Sequence, residues 1–293
     1  MNQDWPGIDK LQARRAFERA ASGYDRVAVL QREVGQRLFE RLDLVRLQPQ
    51  RLLDLGCGTG ELSGQLLRRY AKSEVIALDF AFPMLQLARR RGRWLRRPRC
   101  LCADAEHLPL AAASCDLVFS NLALQWCNDL RRTFEDLLRV LRPGGLLLFS
   151  TFGPDTLKEL RSSWQQVDDR SHVNLFLDMH DLGDLLTGLG FLDPVMDADW
   201  MTLTYADLDG LMADLKWLGA HNVTRDRPRG LTGKGRLSAL RQAYEGFRRE
   251  GKLPATYELV YGHAWAPQQR RTTEGISLSL QAMRAQLSQP RER

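Results

Sequence analysis

The chain has 293 residues, 44% hydrophobic and 27% charged, which supplies one sizeable α/β core with an appended cap and excludes a disordered polyelectrolyte. Its 42 Lys and Arg against 36 Asp and Glu leave a net charge of +6, a balance that admits anionic partners without deciding among them. No uninterrupted apolar run is long enough to span a bilayer, the opening Met1-Asn2-Gln3-Asp4-Trp5-Pro6 has no basic start followed by an apolar stretch, and the cysteines at 57, 100, 102, 115 and 127 lack metal-ligand spacing; the expectation is a soluble cytoplasmic protein with no metal and reduced, mostly buried thiols.

Residues 1–45 read as a helical lid. From Asp9 to about Tyr24, Ala13, Phe17, Ala20 or Ala21 and Tyr24 recur at helical spacing, and Val27, Leu30, Val34 and Leu38 repeat the pattern in a second helix. Packing on a sheet edge accounts for most of these side chains, whereas Tyr24-Asp25, at the break between the helices, is placed to close over a ligand.

Residues 46–204 read as a nucleotide-binding core. Leu52-Leu53 runs into Asp54-Leu55-Gly56-Cys57-Gly58-Thr59-Gly60, a buried strand ending in a glycine turn that opens a helix. Gly56, Gly58 and Gly60 let the backbone turn tightly and approach a ligand, while the amides of the next helix face it. A second strand over 74–79 ends in Asp79, whose carboxylate can accept ribose hydroxyls, with Phe80 and Met84 just beyond. An NAD site wants a pyrophosphate at this turn and no acid beside it. Asp54 would repel a pyrophosphate and suits a ligand with a cationic amino-acid end, so S-adenosylmethionine is preferred over NAD and over a ligand-free turn.

Further strands over 98–102, 115–120 and 145–151 alternate with helices over 60–71, 83–91 and 129–140, which predicts a parallel, doubly wound sheet. Asp104-Ala105 follows the third strand at the carboxyl edge, where Asp104 reads as acceptor for an adenine amino group in preference to a helix cap. After the fourth strand, Asn121, Gln125 and Trp126 are placed to line the donor site, with Leu122 and Leu124 in the core. Helices over 157–164 and 179–188 and strands over 194–204 and 256–265 complete a seven-stranded, mostly parallel sheet. Residues 205–253, with helical patterns at 208–218 and 237–247, are too long for a hairpin loop and read as a helical cap between the last two strands that selects the acceptor. Residues 254–293 hold the last strand and a basic tail, helical to about Met283.

The donor half, with its glycine turn, Asp79, Asp104 and Leu141-Arg142-Pro143-Gly144-Gly145, resembles the Rossmann-like class I S-adenosylmethionine-dependent methyltransferases. Nearly the whole chain is similar to one subfamily, the malonyl-acyl-carrier-protein O-methyltransferases that begin biotin synthesis. The matching segments include Phe17 to Asp25 with Leu30-Gln31, Ser120 to Trp126, Val173 to Asp181, Leu215-Lys216, Gly219-Ala220-His221-Asn222, and Gly230-Leu231-Thr232-Gly233-Lys234. The resemblance implies methyl transfer to the free carboxylate of malonyl-acyl-carrier protein or malonyl-CoA, releasing S-adenosylhomocysteine. The ester would mask the charged end so that fatty-acid synthesis can elongate it towards a pimeloyl chain. The implied partner is an acidic acyl carrier protein, with no nucleic acid or membrane, and the chain is expected to act as a monomer.

A malonyl carboxylate is ionised at neutral pH, so the transfer needs alignment and desolvation in place of a general base. Tyr24, Gln125, Asn174 and His180 are the expected positioning groups, although His180 equally suits a helix cap. His172, Lys216 and His221 are candidates to contact the substrate, and Arg225, Arg227 and Arg229 to dock the acidic carrier. The Arg89–Arg97 cluster reads as a solvated helix end. Rival readings are a nucleic-acid methyltransferase, for which no RNA-binding module is recognisable, a methyltransferase-fold assembly factor of a respiratory complex, and a carboxyl methyltransferase of a free small acid.

Overall fold

The computed structural model describes residues 7–92, 96–220, 222–225, 227, 230 and 232–268. Three helices come first: α1 (Lys10–Ala20), α2 (Tyr24–Val27) and α3 (Val29–Glu40). The α/β alternation follows with β1 (Arg51–Leu55), α4 (Glu61–Arg69), β2 (Glu74–Asp79), α5 (Phe82–Ala88), β3 (Arg99–Cys102), β4 (Cys115–Asn121), α6 (Leu130–Val140) and β5 (Leu141–Phe152). Then come α7 (Lys158–Gln165), α8 (Met179–Gly188), β6 (Leu192–Tyr205), α9 (Leu208–Trp217), α10 (Lys234–Glu245) and β7 (Leu253–Trp265). Aspartates start several helices: Asp9, Asp129, Asp178 and Asp207 each accept a backbone N–H of the first turn, satisfying a donor that the helix itself leaves unpaired.

The seven strands form one sheet in the order β3-β2-β1-β4-β5-β7-β6. Pairings among the first five are parallel, and β7 is inserted antiparallel between β5 and β6. One apolar cluster packs under α3, α4, α7, α9 and α10, with Leu38, Phe119 and Tyr244 fully buried; a second lies on the opposite face under α6 and α8, around Phe134, Phe149 and Leu186. The two helices between β6 and β7, α9 and α10, lie at the level of the first cluster.

Three expectations are refined. Tyr24 and Asp25 do not sit in an open break, because they form the single-turn helix α2. The fifth strand, expected over 145–151, already starts at Leu141 and contains Pro143-Gly144-Gly145: Cys115 pairs with Leu141 and Leu117 with Leu146, so the intervening β5 residues bulge outward, with Gly144 at φ +71°. Among the cysteines, Cys115 and Cys127 are buried, but Cys100 and Cys102 are exposed. They lie on β3, a strand with no neighbour beyond it among the described residues, so side chains there face solvent. No described helix is long and apolar enough to cross a membrane. The basic tail lies outside the described residues.

Candidate active site

The strand order reverses between β1 and β4, so their following loops diverge and leave a crevice at the carboxyl ends. The loop after β1 is its floor. Gly56 and Gly58 have φ of +71° and +54°, and a Cβ on Gly56 would stand 2.3 Å from the Ala123 Cβ in the loop after β4. A Cβ on Gly58 would meet nothing within 4 Å, so at that position the backbone faces open space that a ligand can fill. Asp79, at the end of β2, braces the loop: its Oδ2 accepts the Gly58 N–H at 2.9 Å and its Oδ1 the Ala81 N–H at 2.8 Å. Asp54 lies beneath, 1% exposed, and accepts the Ser63 hydroxyl. Burial pushes Asp54 up to about 7, with Asp79 adding repulsion and Ser63 opposing; burial likewise pushes Asp79 up to about 6. These are anions short of a cation.

Two lobes of open volume flank Gly58. One, of about 80 Å³, is lined by Phe80, Met84, Asp104, Ala105 and Trp126 together with Lys10 and Phe17 of α1. The other, of about 70 Å³, is lined by Asp54, Cys57, Thr59, Asp25, Gln31 and Arg32. Tyr24, Gly56, Gly58 and Asn121 line both, so the lobes are two ends of one cleft.

The N-terminal helices roof this cleft. Lys10 Nζ lies 2.6 Å from Asp104 Oδ1 and 2.7 Å from Glu106 Oε2. Burial works against its ammonium, yet the net effect raises its pKa; the Cys127 thiol, pushed up to about 12 by burial, is neutral at pH 7, which leaves the two carboxylates as the operative partners. Phe17 packs against Phe80 and Trp126 with ring centroids 5.8 and 5.0 Å away. At the other end, Asp25 accepts the Thr59 hydroxyl and pairs with Arg91, each at 2.6 Å. Burial, then Asp79 and Asp25, hold the Tyr24 hydroxyl well above its ordinary range, so it is a neutral hydrogen-bonding group.

A chamber of about 400 Å³ adjoins the cleft, touching it at Gln31 and Trp126. Its walls come from α3, the end of β5, β6, β7 and the cap helix α9, with Gln125, Asn174, Thr202, Tyr205, Asp214 and Tyr257 as polar members. Its described lining contains no Lys, Arg or His. Gln125, Phe152 and Phe176 separate it from a second cavity of about 600 Å³ beside α8.

Asp54, Gly56, Cys57, Gly58, Asp79, Phe80, Met84, Asp104, Ala105, Asn121 and Trp126 therefore gather around one cleft. Gly60 lies just outside it as the cap of α4 at φ +78°. Asp104 does two jobs, pairing with Lys10 and accepting the Glu106 N–H in its own turn. Gln125 does not line the cleft; it faces the two larger cavities, donating to the Leu122 carbonyl at 2.8 Å. Asn174 lines the 400 Å³ chamber and accepts the Val223 N–H at 3.4 Å.

His172, His180 and Lys216 line none of these cavities. His180 is exposed at the start of α8, bonded to its neighbour Asp178 at 2.7 Å, which is the capping geometry. His172 stacks on Trp164 at 3.6 Å and bonds to Asp168 at 2.7 Å, a packing role. Lys216 is exposed on α9. Arg225 is exposed where the cap meets the segment before α1, its N–H donating to the Gly7 carbonyl at 2.9 Å, whereas Arg227 is mostly covered and donates to the Thr224 carbonyl. His221 and Arg229 lie outside the described residues. In the Arg89–Arg97 cluster, Arg91 is not a solvated end but holds Asp25, and Arg96 donates to the Tyr70 carbonyl.

Sequence reasoning overlooked Lys10, Gln31, Arg32 and Arg91. A signal for Lys10 was available: it stands on the same helical stripe as Ala13, Phe17 and Tyr24, and a cation on an apolar face needs a buried partner.

A seven-stranded sheet in this order, with a glycine turn and ribose-type acid at its switch point, defines the chain as a Rossmann-like class I methyltransferase fold. A family model described as a methyltransferase domain matches residues 53–149. A solved phosphoethanolamine N-methyltransferase 2 of Haemonchus contortus, in complex with S-adenosyl-L-methionine, overlays with a TM-score of 0.50 at 18% identity, covering 80% of this chain and 52% of that one. Among curated relatives, a malonyl-acyl-carrier-protein O-methyltransferase of Gallionella capsiferriformans is 55% identical over 277 residues, 92% of this chain and 96% of the relative. One of the same name from Methylovorus sp. is 55% identical over 270 residues, 90% and 91% of the two chains. The chain belongs to the malonyl-acyl-carrier-protein O-methyltransferase family.

Proposed function

We propose that the chain methyl-esterifies the free carboxylate of malonyl-acyl-carrier protein or malonyl-CoA with S-adenosylmethionine as donor, the step that starts a pimeloyl chain for biotin. The donor supplies a methyl group activated on a sulfonium. The residues around the cleft fit it: Asp79 has lone pairs left for ribose hydroxyls, and the hydrophobic walls Phe80 and Met84 suit an adenine. The second lobe has both an acid, Asp54, and a cation, Arg32, in its lining, matching a zwitterionic amino-acid end. Each lobe is far smaller than the roughly 300–1,000 Å³ of a small-molecule site, so residues 1–45 act as a lid that shifts to admit the donor and recloses.

The observation that carries the acceptor reading is the chamber that meets this cleft. Its amides and hydroxyls can hold a carboxylate without neutralising it, and so leave it nucleophilic. Gln125 and Asn174 are the expected positioning groups, with Tyr24 as a neutral donor inside the cleft. His180, His172 and Lys216 are not among the described lining of the chamber and are left out of the proposed positioning groups. An anion that arrives already ionised needs neither a general base nor a metal. The carrier protein is expected to approach the seam between cap and lid, where Arg225 is exposed. The enzyme is expected to work as a cytoplasmic monomer, the residue ranges 46–204 and 205–253 serving as donor core and acceptor cap.

The test is transfer of label from methyl-labelled donor to malonyl-carrier protein, malonyl-CoA and free malonate, scored as base-labile product. The thioesters should be labelled and free malonate should lag far behind. No label on either thioester would refute the assignment.

A further inference from the structure

Gln31 has no role in the reading above, yet it lines both the Asp54 end of the cleft and the 400 Å³ chamber. It sits on α3, one position round from the buried stripe of Leu30, Val34 and Leu38. Its backbone is fixed: the Gln31 carbonyl accepts from Asn121 Nδ2 at 3.0 Å, and Asn121 Oδ1 accepts the Ser150 hydroxyl at 2.8 Å. One turn on, Gly35 permits this approach, since a Cβ there would stand 2.7 Å from Leu62 and 3.0 Å from Asn121. The side chain of Gln31 is therefore delivered to the wall between the two spaces by a helix clamped at that point.

The Gln31 Oε1 atom is buried and meets no hydrogen-bond partner among the described residues. An orphaned amide oxygen costs free energy unless something donates to it. By contrast Gln125 already donates to the Leu122 carbonyl and Asn174 already accepts the Val223 N–H. A primary amide carries an acceptor and two donors on one rigid plane; a half-turn of the amide exchanges their positions without changing that inventory. The acid end of the cleft calls for an acceptor to complement an ammonium, and the chamber calls for a neutral donor to a carboxylate. The chamber is polarised in the same sense: the acid in its described lining, Asp214, is on the cap helix α9, so an anionic head is repelled towards the wall formed by α3.

Building on the functional reading above, we infer that Gln31 is a positioning residue that bridges the two reactants, its Oε1 accepting from the donor's α-ammonium and its Nε2 donating to the acceptor carboxylate. It thereby sets the separation between the activated methyl and the attacking oxygen. The amide also discriminates against a charged substitute: a carboxylate in its place would still accept from the ammonium but would repel the malonyl head.

The experiment compares Gln31→Glu and Gln31→Met with the wild type in the full chain. Titration calorimetry measures S-adenosylhomocysteine binding, and steady-state assays measure KM and kcat for malonyl-CoA. Loss of a hydrogen bond to a charged group predicts that Gln31→Met weakens nucleoside binding and raises KM by about tenfold each. Gln31→Glu keeps or tightens nucleoside binding while raising KM by more than about tenfold. Opposite movement of the two quantities in a near-isosteric variant is what a purely structural residue would not produce. Equal weakening of both by Gln31→Glu, or no change in either variant, overturns the assignment. If the wild type binds the nucleoside and esterifies malonyl-CoA but the split is missing, Gln31 alone loses its role; if the wild type does neither, the functional reading falls and takes this one with it.

Discussion

The donor cleft and the acceptor chamber adjoin each other but are built differently. The floor of the cleft is made from two local pieces of chain, the turns after β1 and β2, and its key contacts run through backbone N–H groups to Asp79. The chamber is assembled from α3, β5, β6, β7 and α9, and each element contributes between one and four residues. A site of the first kind tolerates little change in backbone and much in side chains; a site of the second kind behaves the other way round.

That contrast breaks first at Gly56. Gly56→Ala forces a Cβ against Ala123 in a left-handed conformation, and should cost about 2–4 kcal/mol of stability and abolish nucleoside binding. Chemical denaturation and calorimetry check this, and near-native values would show that the turn is less tightly built than its contacts imply.

The buried acids sharpen the comparison through pH. A carboxylate whose pKa is raised in the folded protein contributes stability that is complete below its ordinary value of 3.8 and is lost as pH rises through the folded value, here about 6 for Asp79 and about 7 for Asp54. A cationic ligand favours the ionised acids, so its binding releases protons and tightens as pH rises. Between about pH 5.5 and about pH 8 the affinity for S-adenosylmethionine should improve by about tenfold or more. Calorimetry in buffers of different ionisation enthalpy should register the protons, and a flat profile would mean that these acids do not face the ligand's charge.

At the roof, Lys10→Met leaves Asp104 and Glu106 without their cation. Donor dissociation should quicken by about three- to tenfold in stopped-flow measurements, since the lost pairing is worth about 1 kcal/mol. Smaller still is the expected effect of Arg225→Glu: about a two- to threefold rise in KM for malonyl-carrier protein at low salt, fading as salt screens the charge, and none for malonyl-CoA. His180→Ala should leave every kinetic constant unchanged, because its bonds run to Asp178 in its own turn.

The same division explains what the amino-acid sequence disclosed. The glycine turn, Asp54 and Asp79 were legible because strand, turn and acid are set by short-range backbone constraints, and the alternation of apolar runs carried the sheet with them. His180 was ambiguous because a histidine at a helix start can equally cap the helix or contact an anion. Gln31 stayed silent because its meaning comes from Asn121, Ser150 and Gly35, which only the folded chain brings to its side. Cys100 and Cys102 looked buried because an edge strand has the same apolar spelling as a central one.

The most direct test of the account is the intact mass of malonyl-acyl-carrier protein after incubation with the enzyme and S-adenosylmethionine. The account predicts a gain of one methylene unit on the malonyl group, removed by mild base and absent when the carrier bears an acetyl group that has no free carboxylate. An unchanged mass with the malonyl carrier, or an equal gain with the acetyl carrier, would contradict it.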